Sequence, residues 1–134
     1  MNACILYYSR TGNTRRFAEA ISKTMGAPIF NIEESNAVDF KDYDLLLIGT
    51  PVTGFSAAPQ VIAFVKKLPE AQNKRAILFC TFAVSKGQTF TILEKELAPK
   101  GYNTILCVSK RGVKPKEFDF NDAIEAISRK INLK

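Results

Sequence analysis

The chain contains no histidine, so imidazole acid–base chemistry is excluded and transition-metal sites lose their commonest nitrogen ligand. Cysteine is scarce as well: Cys4, Cys80 and Cys107 stand alone, with no Cys-x-x-Cys pair. An odd number of isolated cysteines, each inside an apolar run, argues against a disulfide framework and predicts small buried core residues in a reducing compartment. No apolar run approaches the roughly 18 residues that a membrane-spanning helix needs. The first residues show no charged, hydrophobic and cleavable signal, so the expected location is cytoplasmic, with no membrane insertion. Internal repeats, linkers and low-complexity tracts are missing too. A chain of 134 residues can bury about two thirds of its unfolded surface without disulfides or metal. One domain over 1–134 is the expectation.

What is present is an alternation of short apolar runs with amphipathic helical spacing, the pattern of a parallel sheet covered on both faces. It predicts strands near 3–8, 28–32, 44–49, 76–82 and 103–109, and helices near 14–25, 59–68, 88–99 and 121–132. The helical faces are carried by Phe17, Ala18, Ile21 and Met25, by Phe90, Leu93 and Leu97, and by Phe120, Ile124, Ile127 and Ile131. Gly101 is the expected stop after the third helix. The connection from Glu33 to Asp42 is short for a crossover helix, which is expected to shrink to one or two turns.

Between the first strand and first helix lies Ser9-Arg10-Thr11-Gly12-Asn13-Thr14. A loop in that position turns backbone N–H groups and three hydroxyls toward the positive end of a helix dipole, where a phosphate is held well. It has no Gly-Lys-Ser or Gly-Lys-Thr, so the lysine and magnesium ligand of a P-loop are absent. It has one glycine where the dinucleotide fingerprint needs three, with hydroxyl donors at Ser9, Thr11 and Thr14 instead. A single terminal phosphomonoester, bound without metal, fits this donor set. The structural alternative is a helix capped by Asn13 or Thr14 with the remaining polar groups solvated. Taken alone, the loop leaves both readings open.

Three segments in register resemble the flavodoxin family. Tyr7-Tyr8-Ser9-Arg10-Thr11-Gly12-Asn13-Thr14 is similar to its aromatic strand end followed by Ser-x-Thr-Gly-Asn-Thr. Tyr43-Asp44-Leu45-Leu46-Leu47-Ile48-Gly49-Thr50-Pro51-Val52 is a buried strand running into a loop, with Pro59 opening the next helix. Ala76-Ile77-Leu78-Phe79-Cys80-Thr81-Phe82 is a third strand, and its loop carries Gly87. The resemblance covers nearly the whole chain. It implies an α/β doubly wound three-layer sandwich with a five-stranded parallel sheet in order 2-1-3-4-5, and FMN at the switch between strands one and three. By resemblance, Ser9, Arg10, Thr11, Gly12, Asn13 and Thr14 hold the FMN phosphate. Thr50, Pro51, Val52, Thr53, Gly54 and Phe55 pass one face of the isoalloxazine ring, and Thr81, Phe82, Ala83, Val84 and Gly87 pass the other. Gly54 stands where family members turn a peptide as the flavin takes up its first electron, a movement that a glycine permits.

Two features depart from the family pattern. Alignment of the motifs puts Thr53 and Val84 where the ring is usually sandwiched by aromatic or methionine side chains, leaving Phe55 and Phe82 as neighbours able to cover it. The chain is also basic, with 19 Lys plus Arg against 13 Asp plus Glu and a net charge of +6. Lys66, Lys67, Lys74 and Arg75 form one cluster, and Lys110, Arg111, Lys114 and Lys116 a second. Either cluster can be plain solvated surface. The functional alternative is steering toward an acidic redox protein such as a ferredoxin or a reductase. Nucleic acid is not expected, because the basic runs carry no interleaved aromatics and match no reader module. The expectation is an FMN-binding electron-transfer protein. An FMN-dependent NAD(P)H or quinone oxidoreductase and a flavin-free basic docking module on the same fold are the alternatives.

Overall fold

A computed structural model of the chain describes residues 2–34, 39–112 and 117–131. Strands β1 (Ala3–Tyr7), β2 (Ile29–Asn31), β3 (Leu45–Thr53), β4 (Ser56–Ala57), β5 (Lys74–Phe82) and β6 (Tyr102–Arg111) alternate with helices α1 (Asn13–Met25), α2 (Pro59–Lys66), α3 (Thr89–Leu97) and α4 (Asn121–Lys130). Five parallel strands lie in the order β2-β1-β3-β5-β6, which is the expected 2-1-3-4-5, and β4 is an added two-residue strand antiparallel to the end of β3. The chain is thus a flavodoxin-like α/β sandwich.

The run Leu45-Leu46-Leu47-Ile48 is buried on both faces because β3 is the middle strand. Alternate residues feed two cores. Ile5, Leu47, Ile77 and Phe79 meet Phe17 and Ile21 of α1 and Phe120, Ile127 and Ile131 around α4. The rings of Phe17 and Phe120 stack at 4.6 Å between centroids, and Phe79 closes on Phe17 at 5.0 Å. On the other face, Leu6, Leu46, Ile48 and Leu78 meet Val61 and Val65 of α2 and Leu93 and Leu97 of α3. Burying each such side chain contributes about 1.5–3 kcal/mol, so the two layers are held chiefly by apolar area.

Several boundaries move. β3 runs to Thr53 rather than ending at Gly49, because Thr50 and Pro51 pair with Cys80 and Thr81 of β5 and Val52 and Thr53 pair with Ala57 and Ser56 in a hairpin. Cys4 and Cys80 are fully buried, but Cys107 is only half-buried, since β6 is an edge strand with one neighbour. Its Sγ donates to Glu94 Oε1 at 3.3 Å. Between the second and third strands, a 3-10 turn at Phe40–Asp42 stands where a stunted helix was expected; residues 35–38 of that connection are outside the described residues. Gly101 ends the α3 segment as expected, with φ +92° after a 3-10 turn.

Candidate functional site

Because β1, β3 and β5 are parallel neighbours, their carboxyl ends bring residues 9–14, 50–55 and 81–87 to one edge of the sheet. This is the edge at which doubly wound sheets bind ligands. No helix among the described residues is long and apolar enough to cross a membrane.

The first loop is tightly organised. Gly12, at φ +94°, occupies the N-cap position of α1 and supplies no side-chain cap. Asn13 and Thr14 lie inside the helix, so the reading in which either caps it does not hold. Ser9 Oγ instead accepts from the Gly12 N–H at 3.0 Å, which stiffens the turn. Thr14 is 1% exposed, and its hydroxyl bonds the hydroxyl of Thr81 at 2.7 Å, tying the first loop to the end of β5. Arg10 and Thr11 are exposed.

Charge here runs against the helix. The first turn of α1 contains no acidic residue but carries Arg15 and Arg16, adding cations at the positive end of the dipole. Arg16 Nη1 donates to Asn13 Oδ1 at 2.9 Å, and its guanidinium lies beside Gly12, 3.6 Å from where a Cβ would stand. An anion at the open end of α1 relieves this repulsion. Sequence reading missed Arg15 and Arg16; the signal was two arginines where first turns favour Asp and Glu.

The second loop is a two-residue hairpin turn. Gly54 and Phe55 take φ +58° and +63°, the left-handed pair of a type I′ turn. Phe55 bears a side chain there, at a cost of about 1–2 kcal/mol. Thr50 is fully buried; its hydroxyl accepts from Ala58 N–H at 3.0 Å and donates to Pro51 O at 2.8 Å, so it braces the hairpin against α2. Pro51, Val52 and Thr53 are half-buried. Thr53 Oγ1 is buried with no hydrogen-bond partner among the described residues.

The third loop meets the second. Gln88 N–H donates to Phe55 O at 3.0 Å, and a Cβ on Gly87 would lie 2.2 Å from that same oxygen. Gly87 is therefore required by contact as well as by its φ of +54°. Phe82 is half-buried and Ala83 exposed, and Ala83 O accepts from Arg111 Nε at 3.2 Å. Phe55 and Val84 are 60% and 74% exposed, leaving large apolar surface on both sides of the stitched loops.

The two basic clusters separate. Lys66 and Lys67 end α2, and Lys74 and Arg75 begin β5, so this group sits at the opposite edge of the sheet. There Lys66 reaches Glu96 at 3.9 Å and Lys74 Nζ donates to Phe40 O. Lys110 and Arg111 end β6 at the same edge as residues 9–14, 50–55 and 81–87; Lys114 and Lys116 lie outside the described residues. The thiols are held protonated: desolvation pushes the buried Cys4 and Cys80 and the half-buried Cys107 up to about 12, the carboxylate of Glu94 adding to the effect at Cys107.

A cavity of about 460 Å³ opens beside the first loop, between α1 and the end of β2, lined by Tyr7, Arg10, Arg15, Glu19, Asn31 and Glu34 among others. Tyr7 is 9% exposed. Burial raises its phenol above the usual tyrosine range, with Arg15 pulling the other way.

Comparison with known proteins agrees with this geometry. A family profile described as a flavodoxin domain matches residues 4–114. A flavodoxin of Megasphaera elsdenii is 29% identical over 92 residues, which are 63% of this chain and 67% of that one. A flavodoxin structure from Streptococcus pneumonia superposes with a TM-score of 0.76 at 15% identity, covering 98% of each chain. A flavoprotein from Lactobacillus acidophilus, solved in complex with FMN, superposes with a TM-score of 0.68 at 18% identity, covering 92% of this chain and 98% of that one.

Proposed function

Because the chain belongs to the flavodoxin family, we propose that it binds FMN noncovalently at this edge and carries electrons between redox partners. The carrying observation is the pairing of an uncapped, arginine-flanked helix N-terminus with two loops that expose Phe55 and Val84. The first suits a phosphate dianion and the second a flat apolar ring. FMN supplies the one-electron chemistry when bound.

In this reading the protein's own groups position the cofactor. The first-turn N–H groups of α1, with Thr11 and the nearby guanidinium groups of Arg10 and Arg16, hold the phosphate. Ser9, Asn13 and Thr14 fix the loop through the bonds they already make. Pro51, Val52, Thr53, Gly54 and Phe55 form one wall of the ring site, and Phe82, Ala83, Val84 and Gly87 the other. Thr50 and Thr81 act behind them, one on the hairpin and one on the first loop. The buried, unpartnered hydroxyl of Thr53 is a group that a polar ring edge would satisfy. Lys110 and Arg111 place positive charge beside the ring loops, which supports an acidic protein as partner, a ferredoxin or a reductase. Three free cysteines support a reducing compartment, the cytoplasm.

The experiment is an absorbance and fluorescence titration of purified apo-protein with FMN and with riboflavin. Stoichiometric FMN binding with quenched flavin fluorescence is expected, and an unaltered flavin spectrum at saturating protein would overturn the reading. A second reading, an FMN-dependent reductase, is favoured by the 74% exposure of Val84, which leaves one ring face open to a small acceptor. Steady turnover of NAD(P)H with a quinone separates it from a carrier.

A further inference from the structure

The two outer strands of the sheet are finished differently. At one side β2 has three residues, too short a length to recruit another strand. At the other β6 has ten, about twice the usual strand length, and it pairs with β5 alone. Among the described residues nothing bonds the backbone N–H and C=O groups on its outer side. Long edge strands are ordinarily protected by charged side chains, proline or a bulge. Residues 102–109 of β6 include no charged residue and no proline. Its register shift falls at Ile105, after which residues 106–111 keep an unbroken register with β5.

The two cores also stop short at this strand. Ile105, Leu106 and Val108, with Ala123 and Ile124 of α4, are half-buried at the margin of the first core; Cys107, with Phe90 of α3, is half-buried at the margin of the second. Ile77 and Leu78, one strand inward, are fully buried. A strand added here covers both margins and satisfies the outer backbone groups together.

Positive charge stands at both ends of the neutral stretch. Lys110 and Arg111 follow it, while Lys100 precedes it and Arg75 of β5 pairs with Asn103. A second copy of the chain laid antiparallel on this edge would bring its Lys110 and Arg111 to two strand spacings, roughly 10 Å, from Arg75, which is about a Debye length. Like charge would then face like charge at both ends. Glu94 accepts from the Cys107 thiol at 3.3 Å, so negative charge lies beside the middle of the strand. The edge therefore favours a segment that is neutral at its centre and acidic at its ends.

We propose that β6 is a docking edge for an extended segment of an acidic protein, which joins the sheet as a further strand with uncharged residues along 106–109 and carboxylates at both ends. Backbone hydrogen bonds supply the affinity and the basic ends select the partner. This surface does not depend on the flavin reading.

The full chain, with FMN present, is titrated with a fluorescent synthetic peptide in which threonine and valine alternate between paired glutamates at each end. Saturable binding by anisotropy is expected, and lysine ends in place of glutamate should weaken it by about tenfold or more. Ser109→Asp, at a half-buried position on the edge, should weaken the glutamate peptide by about tenfold, and Lys110→Glu with Arg111→Glu should remove the preference between the two peptides. In the wild-type chain, backbone amides of residues 106–109 that face away from β5 should gain hydrogen-exchange protection as the glutamate peptide binds, a reading independent of how any variant folds. No saturable binding, equal binding of the two peptides, or binding without new protection in β6 would overturn the proposal. Protection of β6 that rises with the concentration of the chain alone, together with a dimer in sedimentation, would give the edge to a second copy and overturn the acidic segment as its occupant.

Discussion

The first loop and the pair of ring loops occupy the same sheet edge but are prepared in opposite ways. The first loop has its polar side chains committed apart from Thr11 and the arginines: Ser9 to Gly12, Asn13 to Arg16, Thr14 to Thr81. What it leaves over is positive charge. The ring loops are joined to each other by the Gln88 to Phe55 bond, yet they keep a left-handed phenylalanine, an unpartnered Thr53 hydroxyl and two exposed apolar side chains. What they leave over is unsatisfied surface. If FMN binds as proposed, the difference teaches that the phosphate side is built in advance, whereas the ring side would acquire its remaining partners from the ligand. Affinity for the phosphate would then rest on preorganisation, and affinity for the ring on area newly removed from water.

The largest expected effect comes from prising the ring loops apart. Gly87→Val sets a Cβ 2.2 Å from Phe55 O at a φ of +54°, and should cost about 2–3 kcal/mol of stability while weakening FMN and riboflavin together. Gly54→Val is the matched control, since its Cβ would meet nothing within 4 Å and only backbone strain of about 1–2 kcal/mol remains. Thermal melts of the two variants compare contact with strain; equal losses would mean that the Gly87 contact is unimportant.

On the other side, Thr11→Ala, which removes the one hydroxyl of the loop not engaged within the protein, should weaken FMN by about tenfold and riboflavin hardly at all, since only FMN carries the phosphate. Paired titrations measure this, and parallel losses would erase the distinction between the two regions. Val84→Trp acts in the reverse sense. An aromatic at that 74% exposed position should tighten FMN and riboflavin alike by about 2–10-fold, because the ring is common to both. The smallest effect is expected at Thr53, where Val replaces a buried unpartnered hydroxyl with a methyl group. The apo-protein should gain about 1 kcal/mol while its flavin affinity falls, and a gain without the loss would detach that hydroxyl from the flavin.

The layers and strand order were legible in the sequence because they depend on apolar runs and on three local motifs in register. Legibility stopped where a distant partner decides the outcome. β3 extends past Gly49 first by pairing Thr50 and Pro51 with β5, and its last residues, Val52 and Thr53, pair with β4 across a turn in which Phe55 adopts a conformation that bulky residues avoid. Thr14 and Thr81 are 67 positions apart, and nothing local in either segment announces their bond. The hydroxyls of Ser9, Thr11 and Thr14 looked equivalent as phosphate donors, but two of them are engaged within the protein. The basic clusters also looked equivalent, and the topology alone sent one to the far edge of the sheet. The arginines at the start of α1 were readable from charge sign at a helix end, without any structure.

The three thiols, two buried and one half-buried, bear on how such a molecule meets oxidants. Peroxide and disulfides react with thiolates rather than thiols. Cys4 and Cys80 are shut inside the sheet, and with all three groups held up to about 12 almost none of any of them is ionised near neutral pH. A protein proposed to handle electrons near dissolved oxygen thus keeps its own sulfur out of the redox traffic. Two of the oxidisable groups are hidden within β1 and β5, strands whose following loops form the candidate site.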